Sequence, residues 1–137
     1  MTTKDFIKKA FNQTTKARKC SSVFAEGRDV YSYGYHYPLL FMVANKVIRN
    51  VTGYSVSTSK HISDSRIVSA IDIHCGHTFR LTGNNLQMFE ELTQAQTEYI
   101  QSIKKEMQAK KRKNTQVYSG LQQRLQEAED NLTSLTN

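Results

Sequence analysis

Tyrosine alternates with other residues across "VYSYGYHYPLL", residues 30–40, where it occupies positions 31, 33, 35 and 37. Successive side chains of a β-strand point to opposite faces, so a strand here would place all four phenol rings on one face. Such a face either packs into a core or forms a platform for a flat, polar ligand. Gly34 interrupts the run and would permit close approach of a ligand or of another backbone. The pattern predicts a strand and leaves both uses of its face open.

Residues 20–83 have the composition of a β-sheet region. The segment "SSVFAEG" and the tyrosine run are separated by "GRD", which is typical of a turn. For residues 39–48 we favour a short helix, because Pro38 suits the first turn of one, although the apolar spacing fits a buried strand as well. Three further segments are expected to be β: "VTGYSVSTS" as a strand, "RIVSAIDIH" as a central strand and "HTFRLTG" as part of a hairpin.

Helices are predicted on both sides of this region. In the basic arm 1–19, Phe6, Ile7, Ala10 and Phe11 have the spacing of a brief amphipathic helix that docks on the body. From residue 84 to the end the chain is helical, beginning at an Asn84 cap. It forms either one long helix or, if Asn114 and Thr115 break it, a hairpin.

The second half of this helical segment carries an apolar stripe with heptad spacing. Its members are Val117, Leu121, Leu125, Ala128, Leu132 and Leu135. A stripe of this kind needs a partner, so we predict a homo-oligomer that forms through the C-terminal helices. The complete prediction is a single α+β domain over 1–137, with a short N-terminal helix, an antiparallel sheet over 20–83 and a helical hairpin or coiled coil over 84–137.

The net charge of +7 is concentrated at the N-terminus. Residues 1–20 contain six basic side chains and one acidic one, whereas residues 84–137 contain seven of each. This asymmetry predicts an anionic partner, either nucleic acid or a phosphorylated small molecule. No segment approaches the roughly 20 apolar residues of a membrane span, and the N-terminus lacks a secretory apolar region. Cys20 and Cys75 are too few for a disulfide framework, so we expect a cytoplasmic protein.

The predicted ligand-binding residues follow from local chemistry. Guanidinium groups suit bidentate phosphate contacts, and imidazole, ammonium and hydroxyl groups supply further donors. Tyrosine rings beside basic groups stack nucleotide bases. The expected stacking residues are Tyr33 and Tyr35, and the expected phosphate and polar contacts come from Arg28, His36, Lys60, His61 and Arg80.

Metal binding and catalysis are not predicted. The "HCGH" motif at 74–77 lacks a matching CxxC pair, and His74 and His77 are more simply turn residues. Motifs of the P-loop, GxSxG and HExxH types are missing from the sequence. We therefore expect a binding protein without a cofactor rather than an enzyme.

Two segments together resemble a group of small proteins encoded in bacteriophage genomes. "DVYSYGYHYPL" is similar to their "VYSYG-x-H-aromatic-P-L" core, and "GYSVSTSKHIS" is similar to their "YS-x-x-TSKH" core. The match covers about residues 29–65. The order of a β-sheet and two C-terminal helices also resembles the first family of Thoeris anti-defence proteins, which are viral sponges for cyclic nucleotides.

That resemblance implies a phage protein that sequesters a cyclic ADP-ribose isomer or a cyclic oligonucleotide immune signal without cleaving it. The family's ligand residues do not align one by one with this chain. The first alternative is a basic DNA- or RNA-binding accessory protein that uses residues 1–20 and "KKRK" at 110–113. The second is a coiled-coil oligomeric adaptor.

Overall fold

A six-stranded sheet with helices on both faces forms the body of the protein. The computed structural model describes residues 1–53, 55–110 and 115–137. The strands lie side by side in chain order, antiparallel up to the fifth, and the sixth joins the fifth in parallel. This arrangement confirms the α+β class. The strands are β1 (Lys19–Cys20), β2 (Val23–Glu26), β3 (Asp29–Ser32), β4 (Pro38–Val43), β5 (Lys46–Asn50) and β6 (Ile71–Ile73), and the helices are α1 (Thr3–Phe11), α2 (Val56–Ser65), α3 (Asn85–Lys110) and α4 (Thr115–Thr136).

Helices α1 and α2 cover one face of the sheet. The predicted apolar side of α1 is buried there against Val23, Val30 and Leu40. The Thr2 hydroxyl caps this helix by accepting a hydrogen bond from the Asp5 amide at 3.1 Å. The N-terminal helix and its docking on the body are therefore confirmed.

Helices α3 and α4 cover the opposite face. Because the pleat alternates, Phe41 and its neighbour Ile48 point away from Leu40 and towards Leu92 and Leu135. The two helices run antiparallel, as the contact of Gln96 with Ala128 and that of Tyr99 with Arg124 show. The Gln87 amide donates to the Asn84 side chain at 3.0 Å, which confirms the predicted cap.

The heptad stripe of α4 packs within a single chain. Leu121, Ala128 and Leu135 are buried against α3 and the sheet. The C-terminal helices therefore form a packed pair, while Val117 at the start of the stripe is 40% exposed. The homo-oligomer expected through these helices stays a prediction. The predicted break at Asn114 and the run 111–113 of "KKRK" lie outside the described residues.

The preference for a helix over residues 39–48 is wrong. This segment forms the β4–β5 hairpin, whose two-residue turn has positive φ at both Ala44 and Asn45. That backbone matches the right-handed twist of the paired strands. Pro38 is instead the first residue of a strand, where its missing N–H is tolerated.

Three of the later strand predictions need correction. Within "VTGYSVSTS" the chain enters α2 after the Ser55 cap, so the second half of this segment is helical and not a strand. The central strand predicted over 66–74 is short and lies at the sheet edge as β6. The segment 77–83 is not a strand, although Phe79 is buried and stacks on Phe41 at 5.3 Å between ring centroids.

Candidate functional site

The four tyrosines do not share a face. Strand β3 ends at Ser32, and Tyr33 has a positive φ of 68°, which turns the chain away from the strand direction. As a result Tyr31 and Tyr37 are buried, whereas Tyr33 and Tyr35 are 53% and 56% exposed. The run therefore places two rings in the core and two on the surface.

Gly34 makes room for a neighbour within the chain. A Cβ atom at this position would lie 2.7 Å from Nδ1 of His36. The glycine therefore permits the His36 ring to fold back over the turn. The close approach that the sequence predicted is made by a side chain two residues away.

His61 lies at the centre of a group of hydroxyls. Most of them come from two motifs, the tyrosine-rich one before β4 and the serine-rich one that forms α2. Its Nδ1 lies 2.6 Å from Ser32 Oγ, and its Nε2 lies 3.3 Å from Ser22 Oγ. The Tyr33 ring lies over the imidazole at 5.4 Å between centroids. Burial lowers the pKa of His61, against a smaller opposing effect of the Asp64 carboxylate. The imidazole is therefore neutral at pH 7, with one nitrogen donating and the other accepting.

The Tyr33 hydroxyl extends this group to the first turn of α2. Its interactions with Ser57 and then Ser22 lower the pKa of Tyr33. We call Ser22, Ser32, Tyr33, Ser57 and His61 the hydroxyl–imidazole cluster. Ser32 and His61 form its buried base, while the ring of Tyr33 and the side chain of Ser57 reach the surface.

Charges of both signs surround the cluster: the Asp64 carboxylate acts to raise the pKa of His61, whereas Lys60 and the start of α2 contribute positive potential. Ser55 caps α2 by accepting from the Thr58 amide at 3.1 Å, and the first turn of this ten-residue helix has no acidic residue. The amino-terminal end of a helix carries a partial positive charge. Lys60 is exposed on the same helix, next to His61. The cluster therefore combines neutral donors with two sources of positive potential.

Tyr35 lies in a different group of side chains. Its ring contacts Phe24 and Tyr31 edge-on, each at 5.0 Å between centroids, and its hydroxyl donates to Glu26 at 3.1 Å. Burial and the nearby carboxylates of Asp29 and Glu26 raise the pKa of Tyr31 to about 12. This aromatic surface is bordered by negative charge.

The two arginines predicted to bind phosphate are held by backbone carbonyls. Arg28 Nε donates to the Phe11 carbonyl at 3.0 Å, and its guanidinium lies 4.8 Å from the centroid of the Phe11 ring. Arg80 donates to the carbonyls of His36 and Phe79, both at 3.1 Å. Of the predicted residues, the structure thus joins Tyr33 to His61 and Arg80 to His36. Arg28 and Tyr35 instead contact other groups.

Sequence reasoning missed Ser22 and Ser32 of the cluster, and it also missed a cavity elsewhere in the protein. A groove of about 860 Å³ lies between α3 and the loop after β6. One of its walls is His74, which stacks on Tyr99 with 3.4 Å between ring centroids and 10° between planes. Burial, followed by the charge of Arg124, lowers the pKa of His74 to about 4. His74 is therefore more than a turn residue.

The chain matches no protein-family model, no curated protein and no solved structure. Within the described residues, no helix combines the length and the apolar character that crossing a membrane requires.

Proposed function

We propose that the protein binds a small anionic nucleotide at the hydroxyl–imidazole cluster and sequesters it without cleaving it. One observation carries the proposal: the two motifs that resemble the phage proteins meet at this cluster. Ser32 and Tyr33 come from the first motif, Ser57 and His61 come from the second, and the 2.6 Å contact of Ser32 with His61 joins them.

Each part of the cluster has a role in this proposal. The phosphate is bound by the hydroxyls of Ser57 and Ser22, by the amino-terminal end of α2 and by Lys60. The base stacks on the exposed ring of Tyr33, whose other contacts hold it over His61. The backbone strain at Tyr33 is consistent with such a role, since residues with unusual φ cluster at ligand sites.

The resemblance directs the proposal to cyclic nucleotides made as immune signals. A phage protein that lowers the free concentration of such a signal acts in the host cytoplasm, and the two free thiols of Cys20 and Cys75 fit a reducing compartment. Stoichiometric binding, rather than turnover, is the expected behaviour.

Isothermal titration calorimetry against cyclic ADP-ribose isomers and cyclic di- and trinucleotides tests this function. Stacking on an aromatic ring contributes about 1–3 kcal/mol per base, so Tyr33→Ala should weaken binding by roughly 5- to 150-fold. Tyr35→Ala is the matched control, because Tyr35 is equally exposed but contacts Glu26 instead of His61. Chromatography of the released ligand should show the compound unchanged.

Two results would contradict the proposal. If none of these nucleotides binds at micromolar concentration, the sequestering function is wrong. If one binds and Tyr35→Ala weakens it more than Tyr33→Ala does, the ligand site lies on the aromatic surface beside Glu26.

Nucleic-acid binding is the second candidate, and the exposed charge of the N-terminal region favours it. All six basic side chains within residues 1–20 are exposed. Affinity for a polyanion falls steeply with salt because many counterions are released, whereas affinity for a ligand with two phosphates falls little. Titrations at two salt concentrations therefore separate the candidates.

A further inference from the structure

The groove beside α3 presents carboxylates along one side of a helix. Glu90, Glu91 and Glu98 line it together with Gln94, and the opposite wall contains Thr78 and Phe79. Along α3 the steps between these four successive positions are one, three and four residues. Their side chains therefore lie on one face of the helix, over a length of about 12 Å. We call this cavity the α3 groove.

The α3 groove is electrically negative. Residues 85–103 of α3 contain three glutamates and neither lysine nor arginine. No basic side chain is among the residues that line the groove, and His74 is neutral at pH 7 because burial and Arg124 lower its pKa. Phe79, Ala95 and Tyr99 add apolar surface to its walls. A positively charged partner with methylene stems fits such a surface.

The protein carries a complementary surface on its N-terminal segment. Lys4, Lys8 and Lys9 lie on the exposed side of α1, and three more basic residues follow in the connector and β1. Among the described residues, Asp72 forms ion pairs with Arg49 and Arg66, and none of the six basic residues of the N-terminal segment forms an ion pair with a carboxylate. The basic N-terminal surface, formed by Lys4, Lys8, Lys9, Lys16, Arg18 and Lys19, therefore has no carboxylate partner within the described part of the chain.

The two charged surfaces cannot meet within one molecule. Helix α1 packs on the face of the sheet that carries α2, whereas α3 packs on the other face. The connector between α1 and β1 spans only residues 12–18, so the N-terminal segment is held on its own side. Any contact between the groove and this surface must join two molecules.

We propose that the α3 groove of one molecule binds the basic N-terminal surface of a second copy. Lys4 to Lys9 span about 7.5 Å of α1, which is within the length of the carboxylate face when the two helices lie side by side. The contact joins two different surfaces, so it forms a reciprocal dimer, a closed ring or an open filament, depending on the rotation between neighbouring copies. It gives a homo-oligomer a basis other than the heptad stripe, and it does not depend on the proposed nucleotide site.

A charge-swap experiment with the full chain tests this interface. One variant carries Glu90→Lys, Glu91→Lys and Glu98→Lys, and the other carries Lys4→Glu, Lys8→Glu and Lys9→Glu. Each variant alone has surfaces of like charge, so its self-association measured by analytical ultracentrifugation should weaken at least tenfold. An equimolar mixture restores both complementary pairs and should recover a complex of wild-type mass.

A matched variant controls for the change in net charge. Glu106→Lys, Glu129→Lys and Asp130→Lys alter three exposed carboxylates outside the groove and should leave assembly at the wild-type level. Because the contact is electrostatic, raising NaCl from 50 to 500 mM should dissociate the wild-type complex. Circular dichroism of each variant confirms that it is folded. The double variant Glu91→Gln with Glu98→Gln is a milder change, because it removes two negative charges without adding positive ones.

Three outcomes would overturn the inference. The first is a monomeric wild-type protein at about 100 μM and low salt. The second is a pair of folded variants that keep the wild-type mass when measured separately. The third is a mixture that stays monomeric while the wild-type N-terminal surface binds nucleic acid, which would assign that surface to a polyanion instead.

Discussion

Ser32 Oγ lies 2.6 Å from Nδ1 of His61, and this contact joins the end of β3 to the middle of α2. Both side chains are buried, so neither has water as an alternative partner. The contact lies directly beneath the turn at Tyr33, whose positive φ costs energy that the surroundings must offset. The pair therefore holds the strained turn and the serine-rich helix in one arrangement.

Replacing Ser32 with alanine should destabilise the protein. The substitution leaves Nδ1 of His61 buried without a partner, and an unsatisfied buried polar group costs about 1–3 kcal/mol. Urea denaturation at pH 7 measures the change in the free energy of unfolding. Ser69→Ala is the control, because Ser69 is exposed in the loop before β6, and it should change stability by under about 0.5 kcal/mol. Equal stability for the two variants would show that the contact contributes nothing.

Gln96 should be the most important polar residue of α3. Its side chain is fully buried, accepts a hydrogen bond from the His74 amide at 3.0 Å and donates to the Ala128 carbonyl at 3.0 Å. It thus connects the end of β6 with α4. Gln96→Leu retains the volume but leaves the amide unpaired, so unfolding free energy should fall by about 1–3 kcal/mol. Gln101→Leu, on the exposed side of α3, should be nearly neutral in the same assay.

The sequence pattern predicted the amphipathic segments well and the serine-rich segment poorly. In α1 the apolar residues have helical spacing only, and the structure confirms the amphipathic helix that this spacing predicts. In 51–59 the alternation of hydroxyls resembles a strand, but the Ser55 cap starts a helix. The buried residues Thr58, His61, Ile62 and Ser65 repeat with helical spacing, a signal that was present in the sequence. It was weak because three of the four are polar.

The candidate site could be predicted only in part for a related reason. Tyr33 and His61 are distinctive residues in unusual motifs, so local chemistry identified them. Their contact depends on how β3 ends and on where α2 packs, which are tertiary effects. Ser22 and Ser32 are ordinary serines in the sequence, and only their distances from the imidazole make them members of the cluster.

Lys46 should stabilise the end of α4. Its ammonium donates to the carbonyls of Ser134 at 2.8 Å and Leu135 at 2.7 Å, and also to that of Asn137. These carbonyls have no partner within the helix, and a cation at this end is favoured by the helix dipole. Lys46→Met keeps the methylene stem and should destabilise the protein by about 1–2 kcal/mol.

Amide hydrogen exchange shows whether this effect is local. Protection in the last turn of α4 should decrease more in Lys46→Met than protection in β4 does. Lys104→Met, an exposed lysine on α3, is the matched control and should change neither region. A uniform loss of protection would mean that the contact supports the whole fold equally.

His74 should make the stability of the protein depend on pH between about 6.5 and 4. Its pKa is about 4 in the folded protein because of burial and the charge of Arg124, against about 6.5 when unfolded. The unfolded chain therefore binds more protons in this range, and the free energy of unfolding falls as the pH is lowered from 6.5 towards 4. The depressed pKa of His61 acts in the same direction.

His74→Phe and His74→Gln separate this titration from the stacking on Tyr99. Phenylalanine preserves a flat ring against Tyr99, whereas glutamine does not, so the two variants should differ in stability at pH 7. Neither titrates, so both should lose less stability than the wild type between pH 6.5 and 4.5 in urea denaturation. The free energy of unfolding should therefore change more steeply with pH in the wild type than in either variant. Parallel curves for all three proteins would mean that His74 does not carry the proton linkage, and the dependence would then be assigned to His61.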